Sequence, residues 1–243
     1  MKMSGWLKAL PIALAVAALG IVSTSCNNGQ AQIRMINAVP DSPALDIYIN
    51  GAKIFPNLTF TEVVPDSSPA TYFTTPSGNA TIQGYPAGND VTPTSPAGTV
   101  TFNRTWQYTI IAEGPENGDS PPLLLTDNNT APVSGDVEFR VVNAASGSGA
   151  GVDVYIVPSD VTDLTNYTAQ IRGLNNGQAS DYQSITFAAI GYNLIVTLSG
   201  SRAPYITVPF TLASGSIRTV VLVDNVGGNN GMSQTPIVLN DLN

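Results

Sequence analysis

Residues able to do chemistry are scarce in this chain. It has 243 residues, no histidine and a sole cysteine, Cys26. A Ser-His-Asp or Cys-His nucleophile therefore cannot be assembled, nor can a histidine-ligated zinc site. Lys53 is the one lysine beyond residue 8. It stands beside an Asn-Gly turn, where exposure keeps it protonated and unsuited to a serine-lysine pair. No glycine-rich phosphate loop of the required order is present. Carboxylates remain. Glu113, Glu116 and Asp119 share one short loop, and oxygen-rich loops of this kind can attract calcium. The twelve-residue EF-hand order is missing, so a solvated acidic turn is the expected state. Paired carboxylates for glycoside hydrolysis show no spacing that points into one cleft. The inventory implies no cofactor and argues against an enzyme.

Two further sets of residues could act without catalysis. Arg34 and Asp46 recur as Arg140 and Asp153. They read either as a charged pair on a binding face or as an ion-paired clip between neighbouring strands. Recurrence favours the clip, since each copy would need it. Tyr48 and Tyr155 share a strand face with these aspartates, and Trp106 adds another ring. Flat aromatic faces stack on sugar rings while their polar atoms stay wet. These three residues are the candidate ligand face.

The elements that must position these residues begin with an export segment. Lys2 and Lys8 precede an apolar stretch from Ala9 to Val22, followed by Ser23-Thr24-Ser25 and then Cys26. This is the layout of a secretory signal. It resembles a bacterial lipoprotein signal, in which the cysteine is lipidated and becomes the new amino terminus. Ser23 stands where leucine is usual. The apolar run of about 14 residues is short against the roughly 20 that a spanning helix needs. The expectation is a signal peptide over 1–25 and a lipidated spacer over 26–32. If the cell has two membranes, Asn28 resembles the residue found there in outer-membrane lipoproteins.

All 17 acidic residues follow Cys26, against seven basic ones, giving a net charge of −10. Such a surface repels nucleic acid, whose phosphates need clustered Lys and Arg. Any attraction to a membrane must come from the lipid.

Beyond the spacer the chain repeats itself. Ile33-Arg34-Met35-Ile36-Asn37-Ala38 returns as Phe139-Arg140-Val141-Val142-Asn143-Ala144, and Asp46-Ile47-Tyr48-Ile49 as Asp153-Val154-Tyr155-Ile156. Pro122-Leu123-Leu124-Leu125-Thr126-Asp127 is echoed by Pro236-Ile237-Val238-Leu239-Asn240-Asp241. The copies occupy 33–127 and 137–243, with a turn-rich linker at 128–136. Leu45–Ile49 alternates with a period of two, the pattern of a half-buried strand. Asn50-Gly51 then favours a tight hairpin. Many short runs punctuated by Gly and Pro, with no long helical periodicity after Cys26, indicate β-sandwiches. The expected fold is all-β: two tandem antiparallel sandwiches, immunoglobulin-like or transthyretin-like, with seven or eight strands each.

The run from Arg34 through Asn37-Ala38-Val39-Pro40-Asp41-Ser42-Pro43 to Asp46-Ile47-Tyr48-Ile49-Asn50-Gly51 resembles the opening of the domain of unknown function 4397. That pattern has Arg, two aliphatics, His or Asn, Ala, then Pro-Asp-x-Pro and Asp-Val-Tyr-Val before a turn. Asn37 stands where His is common. In the second copy Ser146-Gly147-Ser148-Gly149-Ala150-Gly151 replaces the Pro-Asp-Ser-Pro turn. The resemblance implies an exported bacterial surface protein with tandem copies, and names no reaction or ligand. The expected protein is a lipid-anchored envelope component with a noncatalytic binding, adhesion or structural role. Its partner would be the membrane through the lipid, and an envelope protein or glycan. A carbohydrate-binding surface module is the alternative.

Overall fold

Two strands in each half of the chain are apolar on both faces, and they decide the architecture. In the computed structural model, which describes residues 29–66, 68–93, 97–114, 120–149, 151–187, 191–211, 213–227 and 231–242, no α-helix occurs among the described residues. The signal segment, Cys26, Glu116 and Asp119 lie outside these residues. The first half contains β1 (Gln30–Asn37), β2 (Leu45–Ile49), β3 (Ala52–Leu58), β4 (Val63–Val64), β5 (Phe73–Pro76), β6 (Gly78–Pro86), β7 (Gly98–Phe102), β8 (Gln107–Ala112) and β9 (Leu123–Thr126). The second contains β10 (Asp136–Asn143), β11 (Val152–Pro158), β12 (Ile171–Leu174), β13 (Gln178–Ala179), β14 (Gln183–Thr186), β15 (Tyr192–Leu198), β16 (Pro204–Phe210), β17 (Ile217–Leu222) and β18 (Ile237–Leu242).

Each half is a sandwich of two sheets with matching topology. The outer sheets run β3-β2-β6-β7 and β12-β11-β15-β16. The inner sheets run β4-β1-β8-β9 and β13-β10-β17-β18, with β5 and β14 also pairing β1 and β10. The architecture is all-β, with one departure from the antiparallel expectation. β1 pairs β8 in parallel, as does β10 with β17. A parallel pair needs a long crossover, and each sandwich supplies one by sending the chain through its outer sheet first.

Parallel pairs are characteristically buried on both faces, and the residue pattern shows why here. Ile33 and Met35 of β1, with Tyr108 and Ile110 of β8, point into the first sandwich core beside Ile47, Ile82 and Phe102. Ile36 and Ala38, with Ile111, point the other way and meet Val142, Ala144, Val221, Val223 and Leu239 of the second half. Phe139, Val141, Val220 and Leu222 fill the second core. The inner sheets therefore face each other through a third apolar layer. The two sandwiches form one body, and each gives the other the same set of residues.

Candidate functional site

The Arg34–Asp46 clip expected from the repeats does not form. Arg34, on the inner face of β1, reaches across to the second sandwich. Its Nη2 donates to Asp241 Oδ1, its Nη1 to the Asn240 carbonyl at 2.6 Å, and its Nε to Thr109 Oγ1 at 2.7 Å. Arg140 mirrors this, donating to Asp127 Oδ1, to the Thr126 carbonyl at 2.8 Å and to Thr219 Oγ1 at 2.8 Å. Within the first sandwich Arg34 Nη2 also lies 3.2 Å from Asp127 Oδ2, so Asp127 is shared between Arg34 of its own half and Arg140 of the other. The carboxylates are completed by hydroxyls. Tyr72 and Thr109 donate to Asp127 Oδ2 at 2.8 and 2.7 Å; Tyr182 and Thr219 donate to Asp241 Oδ2 at 2.7 and 2.5 Å. The tyrosine rings also lie under the guanidiniums, at 5.1 Å for Arg34–Tyr72 and 4.7 Å for Arg140–Tyr182.

This cluster holds two cations and two carboxylates with almost no solvent access. Burial acts to lower the Arg34 pKa, and the facing Asp127 and Asp241 carboxylates outweigh it, so the guanidinium stays charged. Burial and the neighbouring Asp127 push Asp241 upward, against the pull of the two arginines. Burial raises both Tyr72 and Tyr182, with Asp127 and Asp241 adding to it respectively, so both keep their protons as donors. An ion cluster removed from water survives only when nearly every lone pair and N–H is matched, and these are. Asp127, Asp241, Thr109, Thr219, Tyr72 and Tyr182 were not among the sequence candidates. Their signal was available: all recur between copies as faithfully as the arginines.

Asp46 and Asp153 have a different task. Asp46 accepts from Lys53 Nζ at 2.7 Å, Asn57 N at 2.8 Å and Gly88 N at 3.2 Å. The Lys53 bond, then the Asn57 amide, hold its carboxyl below the usual range. Asp153 accepts from Gly173 N at 2.8 Å, Ser199 Oγ at 3.3 Å and Gly200 N at 3.1 Å. Asn57 and Gly173 both sit in the left-handed region, at φ 55° and 59°, as do Gly88 and Gly200 at 77° and 79°. Each aspartate thus fastens one kinked residue of the neighbouring strand and one turn. Asn37 and Asn143 serve likewise, donating to the Leu58 and Leu174 carbonyls at 3.1 and 2.9 Å.

The aromatic ligand face does not hold together. Tyr155 is buried, packed with Val157, Leu164 and Ile195; the β11 face that bears it is covered by the Val161–Ala169 segment. Tyr48 is half-buried, edge-on to Tyr85 at 5.0 Å and 5.4 Å from Lys53 Nζ. Trp106 is the exposed one, at 48%. It lines a shallow cleft of about 220 Å³ with Gln107, Thr126, Asn128, Asn129 and Thr130. Tyr48, Tyr155 and Trp106 therefore do not share a surface.

Glu113 stands half-buried near the second sandwich, where a Cβ on Gly177 would come within 3.2 Å of its Oε1. Its Oε2 has no hydrogen-bond partner among the described residues, and burial pushes its carboxyl up to about 7. The other two carboxylates of the expected calcium loop, Glu116 and Asp119, lie outside the described residues. Among the described residues no group of His, Cys, Asp or Glu is placed to hold a metal. No helix there is long and apolar enough to cross a membrane.

Residues 31–155, just over half of the chain, match the family described as domain of unknown function (DUF4397). The chain belongs to the DUF4397 family. Its match takes in the Arg34 strand, the Pro40-Asp41 turn and the linker, and ends in β11. No curated protein sequence matches this DUF4397 protein. Its structure is similar to the carbohydrate-binding module CBMbc (family CBM26) from Eubacterium rectale Amy13K in complex with maltoheptaose, at 14% identity and a TM-score of 0.27, over 85% of this chain and 97% of that one. It is also similar to the Bacillus anthracis TIE protein, at 10% identity and a TM-score of 0.25, over 80% of this chain and 34% of that one.

Proposed function

We propose that this DUF4397 protein is a lipid-anchored component of a bacterial cell envelope with a noncatalytic binding, adhesion or structural role. The inter-sandwich cluster carries the reading. Among the described residues the most deeply buried ionisable groups are engaged with one another, and Asp127, which borders the Trp106 cleft, has both carboxylate oxygens taken by Arg140, Arg34, Tyr72 and Thr109. Such a cluster stiffens a two-module body rather than supplying a reaction. The signal-like segment ending at Cys26 supports anchoring, and Asn28 supports the outer membrane in a cell with two membranes. The net charge of −10 excludes nucleic acid as a natural partner. The partner in this reading is an envelope protein or a glycan.

Crosslinking on intact cells, with mass spectrometry of the joined species and of the mature amino terminus, tests location and partner together. Recovery of a soluble chain with a free thiol at Cys26 would refute the anchoring. A carbohydrate-binding surface module is the second reading, favoured by Trp106 standing in a cleft with the amides of Gln107, Asn128 and Asn129. Glycan-array binding lost on Trp106→Ala would establish it.

A further inference from the structure

We propose that the end of the first sandwich bearing Trp106 rests in the headgroup region of the lipid bilayer. This inference rests on the anchoring of Cys26 proposed above. Only Asn27 and Asn28 separate Cys26 from Gly29. Fully extended, that chain places Gly29 within roughly 11 Å of the lipidated residue. The headgroup layer itself is about 5–8 Å deep on each side of a bilayer. The body therefore begins at the membrane surface, whatever direction the tether takes.

What begins there is fixed by hydrogen bonds. The Gly29 carbonyl accepts from Ser77 N at 2.8 Å, the Gln30 carbonyl from Thr105 N at 2.7 Å, and Gln32 N donates to the Trp106 carbonyl at 2.9 Å. The β7–β8 turn carrying Trp106 is thus bound to the residues where the chain departs for the anchor. Thr105 in this turn has φ 68°, a conformation costly for a β-branched residue, so the turn's shape is imposed by its surroundings.

The residue types suit an interface. Trp106 leaves about half its surface bare and leans on Tyr108 with ring centroids 6.3 Å apart. Tryptophan concentrates at bilayer–water boundaries, where its apolar body and N–H both find company. The Arg104 stem crosses Gly29 so closely that a Cβ there would fall 2.2 Å from Arg104 Cγ and Cδ. A cation therefore stands beside the tether of an otherwise acidic body, and it is the charge that anionic headgroups attract. Val133, on the linker that leaves the same end, is 77% exposed. A saccharide is the rival occupant of the Trp106 cleft. With this end seated on the bilayer a polymer would be shut out of the cleft, so the two occupants exclude each other and the experiment can separate them.

The sequence offers its own probe. A chain beginning at Cys26 keeps one thiol, Cys26, and one tryptophan, Trp106. Every described strand lies within residues 30–242, so this chain retains the fold. Coupling the thiol to maleimide headgroups on mixed phosphatidylcholine and phosphatidylglycerol vesicles replaces the biological anchor with a chemical one. Bromine-labelled acyl chains in those vesicles should shift Trp106 emission to the blue and quench it. A Trp106→Phe, Val226→Trp double variant moves the fluorophore to the far end of the strands and should lose both effects. Unaltered emission on coupling would overturn the proposal, as would equal quenching of the two tryptophan positions. So would an oligosaccharide that shifts the uncoupled chain's emission while vesicles do not, which would return the cleft to glycan binding. A mature amino terminus isolated from cells without acyl groups would overturn the anchor separately, and with it this seat on the membrane, whatever the vesicles show.

Discussion

Arg34→Ala should weaken the protein far beyond an ordinary surface ion-pair change. The wild-type guanidinium is fully buried and bonded to Thr109, Asn240 and Asp241, with Asp127 at 3.2 Å. Its removal leaves Asp241 with no ion-pair partner among the described residues, while Asp127 keeps Arg140. Stripping one partner from a buried ion pair costs about 3–5 kcal/mol, because the remaining charge stays out of water uncompensated. An exposed pair would cost only about 0–1 kcal/mol. For a body of this size each kcal/mol lowers the Tm by about 2–4 °C, so the expected fall is on the order of 10–15 °C. Urea unfolding should show a lower midpoint at unchanged slope. If the cluster joins the sandwiches, Arg34→Ala should also speed proteolytic cutting in the 128–136 linker. Replacing the pair together, Arg34→Met with Asp241→Leu, should recover much of the loss. The remainder reports the hydroxyls of Tyr182 and Thr219, which would lose their acceptor. A Tm drop corresponding to less than about 1 kcal/mol for Arg34→Ala, with unchanged linker cutting, would refute the cluster's role.

Three further outcomes are expected. Glu113 titrates near 4.5 when unfolded and is pushed up to about 7 by burial. Its folded state thus favours the protonated form; the resulting stability is complete below 4.5 and lost as pH rises through 7. Glu113→Gln should flatten that slope and raise stability at about pH 8 by about 1–2 kcal/mol, allowing for partial exposure; urea titrations across the range would read it, and a parallel pH profile would discount it. Asp153→Ala strands the Gly173 and Gly200 amides and should cost about 2 kcal/mol, with Asp46→Ala acting in the same direction; unchanged melting of both would show that those turns hold without the carboxylates. Phe139→Ala, in the middle of the second core, should cost about 3–5 kcal/mol and lower one common transition if the halves unfold together, which calorimetry would resolve.

Much of the fold was legible because its signals are local. Alternation at Leu45–Ile49, the Asn50-Gly51 turn and the recurrence of whole strands all lie within a few residues. Partnerships between distant residues were not legible. The parallel pairing of β1 with β8 joins residues about 75 apart, and nothing in either strand names the other. Asp46 sits at an alternating position that reads as solvent-facing, yet it is buried because strand β3 kinks over it at Asn57. Proximity along the chain pairs the arginines with the nearest recurring aspartates, although Asp127 and Asp241 recur just as faithfully at strand ends. Tyr155 reads as an exposed ring for the same reason, since alternation cannot foresee the segment that covers its face.

The reciprocity of the central layer has a consequence for simpler relatives. A lone module carrying arginine, threonine, tyrosine and aspartate at these four places would own every group needed to embrace a second copy of itself as an isologous homodimer. Joining two such modules through nine linker residues makes that association independent of concentration. Cut at the linker, the two halves of this chain should remain associated until dilution separates them, and sedimentation over a concentration series would show the exchange.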